Sequence, residues 1–308
     1  MQQKGDASLM NTGETVRKIR LIKGLSQKQV YSGIISRSFA NRFESGENDI
    51  QAGKLFQILD NLAISPNEFQ YISNDYQLSP IDSMLAEAGH LYEAQSFSAL
   101  AHWLHKHQDS NNIQVQIVAG FVELLLVLFG HLNFSLTKNI RVFISHLLGQ
   151  KNWTLQEIKR VDMLVPVISA HKEFKIKVST VTARMEKNCA EYLPKYEDKF
   201  QISGILINYY GVVLQTYLNN RDYTAAYDFR EKFVNLNESL FDWDARVQRQ
   251  LWLAVWELYF GDFTFGKKTL DRIINFKKIF NTKFDLNIDS VTQVRVKEAQ
   301  KYRKSVKK

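Results

Sequence analysis

Arg37, Ser38, Asn41 and Arg42 fall within one short stretch, SRSFANRFESG at residues 36–46, and each carries hydrogen-bonding groups of defined direction. Between them lie Phe39, Ala40 and Phe43, whose spacing makes an apolar stripe if the segment is helical. That stripe must turn inward, so the polar side chains face outward together. An Arg fork matches guanine O6 and N7, Asn matches the adenine edge, and Ser reaches phosphate or base. The donor set therefore suits the major groove of double-stranded DNA. Ser36 opens the same helix, and Arg17, Lys18 and Gln27 on the two preceding helices would supply phosphate contacts. The competing explanation for Arg37 and Arg42 is an ordinary solvated helix face. Glu44 is expected to stay off the duplex, because a carboxylate repels phosphate. An ion pair with Arg20 would instead tie this helix to the first one.

A second constellation lies in QISGILINYYGVVLQTYL, residues 201–218, where Gly204, Asn208, Gly211 and Gln215 share one helical stripe. A glycine inside a helix costs about 1 kcal/mol relative to alanine, so the stripe needs a reason. One reason is the close approach of another backbone, with Asn208 offering both a donor and an acceptor to the amides of an extended peptide. The other is tight helix packing. On the preceding helix Arg184 and Asn188 share a face and would add recognition of a peptide carboxylate, with Arg160 a further candidate. Surface solvation is the alternative for each. Trp252 and Trp256 are read as packing residues before groove residues.

Nothing suggests catalysis. P-loop, G-x-G-x-x-G, H-E-x-x-H and nucleophile-elbow motifs are all missing, and HWLHKH gathers His102, His105 and His107 without an acidic or thiol partner. No metal, no cofactor and no enzyme activity are expected. The single cysteine, Cys189, excludes an internal disulfide and any multi-cysteine zinc site, and fits a reducing, cytoplasmic setting. No apolar run reaches the ~18 residues of a membrane span, so no membrane partner is expected.

These residues need elements to position them. The 308-residue chain has only 4 prolines and 14 glycines among long segments of helical periodicity, which reads as all-α. Helices TGETVRKIRLIKG, SQKQVYSG and one from Ser36 form a helix-turn-helix head, with Thr12 and Ser26 as caps of the first two. The head is placed at residues 1–70, a linker at 71–80 and a second domain at 81–308. In that domain a turn followed by an aromatic recurs at Phe97, Phe134, Phe174, Tyr223 and Phe263, at intervals that each hold two helices. The last two repeats align Asp222 with Asp262 and Ala226 with Gly266. This is the pattern of a degenerate TPR-like helical-hairpin solenoid, whose curved surface would bind something, although an irregular helical domain is the alternative. The net charge of +8 is concentrated in residues 266–308, read as a solvated helix end rather than a nucleic-acid arm.

GETVRKIRLIKGLSQKQV with SRSFANRFESGENDI and KLFQILDNL resembles the XRE-type helix-turn-helix of repressors. In that pattern Gln27 opens the second helix, Glu44 and Gly46 close the third, and Arg20 pairs with Glu44. Joined to a helical-repeat domain, it resembles the Rgg (MutR-like) transcription regulators of Gram-positive bacteria. The resemblance implies a homodimer on an inverted repeat in promoter DNA, switched by a short signalling peptide, with Asn208 as a clamp on the peptide backbone. Two other functions stay open: a DNA-binding repressor whose repeats only dimerise or bind a protein, and an interaction scaffold that binds no DNA.

Overall fold

A computed structural model describes residues 11–129, 135–279 and 286–306, and contains no strand among them. The helices, in chain order, begin with α1 (Thr12–Ile22), α2 (Gln27–Tyr31), α3 (Arg37–Glu44), α4 (Ala52–Asn61), α5 (Pro66–Ser73) and α6 (Pro80–Glu93). They continue through α7 (Phe97–His107), α8 (Ile113–Phe129), α9 (Lys138–Gly149), α10 (Leu155–Ile158), α11 (Leu164–Ala170) and α12 (Val178–Tyr192). The last six are α13 (Ile202–Asn219), α14 (Tyr223–Asp228), α15 (Arg230–Val234), α16 (Trp243–Phe260), α17 (Phe263–Ile279) and α18 (Leu286–Val306). Compactness divides the chain between Ala86 and Glu87 into two units. The stretch expected to be a linker is partly helical, since α5 runs to Ser73 and Ile72 is buried in the first unit's core.

The first unit closes around Val16, Ile19, Val30, Tyr31, Ala40, Phe43, Ile58, Leu59 and Leu62. Its helix ends explain why such short helices hold. Asn11, not Thr12, caps α1: its side chain accepts from Gly13 N, and Glu14 reaches back to the cap in a capping box. Ser26 caps α2 with Gln29 in the reciprocal position, and the Ser36 hydroxyl accepts from Phe39 N at the head of α3. Between α2 and α3 the chain turns at Gly33, whose φ of +82° lies in the left-handed region that glycine adopts without strain.

The second unit is built from helical hairpins. α7 pairs with α8, α8 with α9, α12 with α13, α13 with α16, and α16 with both α17 and α18. α7, α14 and α17 start at Phe97, Tyr223 and Phe263, as the repeat pattern requires. Phe174 instead ends a 3-10 turn, Lys172–Phe174, and its helix begins later at Val178; Phe134 lies outside the described residues. Asp222 and Asp262 do the same work in two successive repeats, each accepting from backbone N–H groups at the head of the following helix. Ala226 and Gly266 are both buried in those helices.

The C-terminal basic segment is not simply solvated. Arg303 of α18 donates to the carbonyls of Glu257, Leu258 and Gly261, satisfying the open end of α16. Tyr302 beside it packs on Tyr223, Tyr259 and Phe260.

Candidate nucleic-acid interface and ligand cleft

In the first unit the apolar stripe of α3 buries Ala40 and Phe43, with Phe39 half-buried, and Ser36, Arg37, Ser38, Asn41 and Arg42 all stand exposed. Neither arginine makes an ion pair among the described residues. Behind them Glu44 is only 4 % exposed, and four donors converge on its carboxylate. Arg20 binds it through Nε and Nη2 at 2.6 and 2.8 Å, Tyr31 donates its hydroxyl at 2.7 Å, and Gln27 donates Nε2 at 2.9 Å. Burial pushes the Glu44 pKa up, but the hydrogen bonds from Arg20, Gln27 and Tyr31 outweigh it and hold the group below the usual carboxylate value. Burial and the same carboxylate drive the Tyr31 phenol far upward. One carboxylate thus locks α1, α2 and α3 together and fixes the attitude of the exposed face.

The flanking residues divide. Arg17 is exposed. Lys18 is half-buried, with its ammonium 5.1 Å from the Tyr76 ring centroid. The Gln27 side-chain nitrogen belongs to Glu44, which leaves α2 with less to offer a phosphate than its position suggests.

In the second unit a cleft of about 260 Å³ opens between α10, the 3-10 turn Val161–Met163, and the first turns of α13 and α16. Gly204 and Asn208 line it, together with Asp162, Asp244 and Gln248, which spacing did not single out. Asn208 donates Nδ2 to Asp162 Oδ2 at 3.1 Å, and Met163 N donates to Oδ1 at 2.9 Å. Burial raises the Asp162 pKa from 3.8 to about 6, against the downward pull of these bonds. A carbon at Gly204 would meet nothing within 4 Å, so that glycine leaves open space beside Asn208.

The five other residues of the expected peptide site are not among those that line this cleft. A Cβ on Gly211 would come within 2.0 Å of the Trp252 ring, so this glycine exists to seat α16 against α13. Asn188 is 0 % exposed: its Oδ1 accepts from Trp153 N at 2.8 Å and its Nδ2 donates to Arg184 O at 2.7 Å. Both ends of that amide are engaged within the second unit. Arg184 covers the Trp153 ring and donates to Gln150 O at 3.0 Å, clipping the α9–α10 connection to α12. Gln215 is half-buried two turns beyond Asn208, and Arg160 bonds Gln156 Oε1; neither is among the cleft's lining residues. Trp256 also packs, donating to Tyr227 O at 2.9 Å. Cys189 is buried, with its thiol pushed up to about 12 by desolvation. Among the described residues no helix is long and apolar enough to cross a membrane, and no group of three His, Cys, Asp or Glu is placed to hold a metal ion.

Comparison with known proteins decides the first unit: a helix-turn-helix family model matches residues 16–69, the span of the Glu44 hub and its core. Residues 16–69 are a helix-turn-helix domain. The fold of the whole chain also has solved counterparts. A transcriptional regulator from Listeria monocytogenes EGD-e superposes with a TM-score of 0.69 at 20% identity, covering 95% of this chain and 98% of its own. The Streptococcus dysgalactiae SHP pheromone receptor Rgg2 gives 0.67 at 15% identity, with 95% and 99% covered. Bacillus thuringiensis PlcR, solved with the peptide PapR7 and DNA, gives 0.54 at 13% identity, with 93% and 99% covered. The helix-turn-helix domain and its following helical domain therefore share one fold with these regulators along nearly their full length.

Proposed function

We propose that the protein is a sequence-specific transcription regulator that binds an inverted repeat in promoter DNA as a homodimer and is switched by a short peptide held in the Asn208 cleft. The observation that carries the reading is the exposed face of α3 in a helix-turn-helix domain, where Arg37, Asn41 and Arg42 present their side chains to solvent, Ser38 shares a hydroxyl bond with Ser36 at 3.2 Å, and Glu44 fixes the helix behind them. Arg37 and Arg42 are the guanine-reading forks, Asn41 the adenine reader, Ser36 and Ser38 the short contacts, and Arg17 a phosphate contact. A single helix reads too few base pairs for specificity, and a two-fold dimer doubles the contacts. The peptide half of the reading is supported by the open wall at Gly204 and the exposed amide of Asn208, and by the likeness in fold to a pheromone receptor and to a regulator solved with a peptide.

Selection from random duplexes with the full chain tests it, followed by binding to the selected site across a salt series. An inverted repeat is expected, with affinity falling steeply as salt rises. Arg37→Ala and Arg42→Ala should each weaken specific binding by about 1–3 kcal/mol and leave thermal stability unchanged. Selection of no duplex, or alanine variants that bind the site as wild type does, would overturn the DNA reading.

A further inference from the structure

We infer that the Asn208 cleft recognises a primary ammonium group of its peptide, either the free N terminus or a lysine side chain. The inference rests on the peptide reading above and names the chemistry that reading leaves open.

Asp162 carries the argument. Its half-buried carboxylate lines the cleft and accepts from Asn208 Nδ2 and Met163 N, both neutral donors. Among the described residues no ion pair reaches it; Lys159 also lines the cleft but is not paired with it. A partly desolvated carboxylate without a cation is an arrangement that folded chains avoid, and burial is the largest cause of its raised pKa, with no nearby positive charge among the causes. The second observation is independent. Gln248, on the facing wall, has a buried Oε1 with no hydrogen-bond partner. With Asn208 Nδ2 committed to Asp162, the Oδ1 of that amide is the end left for a ligand. The cleft therefore offers acceptors in want of donors, and an ammonium brings three N–H donors with one positive charge.

The competing expectation is an anion, since the first turns of α13 and α16 both border the cleft and helix N-termini attract negative charge. Those ends are already answered from within the chain. Asp198 accepts from Ile202 N and Ser203 N at the head of α13, both at 2.7 Å, and Asp242 accepts from Ala245 N at 2.8 Å at the head of α16. Asp244 adds a further negative charge at the rim, against the single Lys159. A peptide carboxylate would meet carboxylates, whereas an ammonium completes Asp162.

Three synthetic pools of random octapeptides, all lacking Arg and His, separate the possibilities on the immobilised full chain: free N terminus without lysine, acetylated without lysine, and acetylated with lysine. At least tenfold greater retention of either amine-bearing pool over the acetylated lysine-free pool is expected, and the pool retained tells which amine is bound. Asp162→Asn, which preserves shape, should abolish that preference, and exposed Asp244→Asn should reduce it without risk to folding. Equal retention of the acetylated lysine-free pool, or an unchanged preference in Asp162→Asn, overturns the ammonium assignment while leaving peptide binding intact. Retention of no pool at all overturns the peptide reading itself.

Discussion

A carboxylate that receives four hydrogen bonds behaves differently from one that receives two and no charge, and this protein contains both. Glu44 is held ionised by Arg20, Tyr31 and Gln27, so its folded pKa lies below its unfolded value. Its contribution to stability is present above the ordinary carboxylate pKa and is lost as pH falls through the lower folded value. Arg20→Ala leaves that charge buried without its cation and should cost about 3–5 kcal/mol, and Tyr31→Phe about 1.5–3 kcal/mol, both read by thermal or denaturant unfolding at neutral pH. Asp162 runs the other way. Its pKa of about 6 against 3.8 means that the folded chain holds the proton more tightly, so the group's contribution is full below pH 4 and declines as pH rises through 6. Lys159, Asp242 and Asp244 share its cleft and none of them cancels this trend by an ion pair. Asp162→Asn should therefore melt above wild type at pH 8 and match it at pH 4, the pattern of a position kept for binding at the expense of stability. The Arg20–Glu44 pair is legible from sequence because phosphate repulsion leaves Glu44 few other uses. Tyr31 and Gln27 are not, since their convergence on one oxygen pair depends on how three short helices cross. Asp162 leaves no periodic mark either, because it sits in a 3-10 turn between two short helices.

At the scale of the helix, α13 shows how one stripe can serve two ends. Gly204, Asn208, Gly211 and Gln215 share a face by spacing alone, yet the cleft takes only the first two, and Trp252 is seated on the third. Sequence periodicity reports a direction around the helix axis and says nothing of which neighbour lies opposite each turn. That is why Gly204 and Gly211 look equivalent in the chain and differ in the fold. The difference is measurable. Gly204→Ala adds a methyl into open space within a helix and should raise stability by about 0.5–1 kcal/mol. Gly211→Ala drives a carbon into the Trp252 ring and should cost about 1–3 kcal/mol, with a loss of the native tryptophan fluorescence signature. Equal effects of the two would contradict the packing described. The helix starts were more readable than the faces: Ser26, Ser36, Asp222 and Asp262 all cap as their residue types suggest, and Thr12 was displaced only by its neighbour Asn11.

For the molecule as a whole, two compact units with separate cores give two places where stability can be lost independently. Calorimetry of the full chain should show Arg20→Ala lowering one transition and Gly211→Ala lowering the other, and a single transition shifted by both would argue for one cooperative block. The helical class is legible because punctuation by Pro and Gly is sparse, and the turn-aromatic pattern marks the starts of α7, α14 and α17. The second repeat boundary is blurred by the short helices α10 and α11, whose apolar residues carry too few turns to show a period. The body closes on itself through Arg303, whose guanidinium gathers the last carbonyls of α16 while Tyr302 shields the aromatic cluster beneath. A chain cut after Tyr302 would lose the Arg303 guanidinium and reopen that helix to water, so proteases should find α16 through a truncation made in α18.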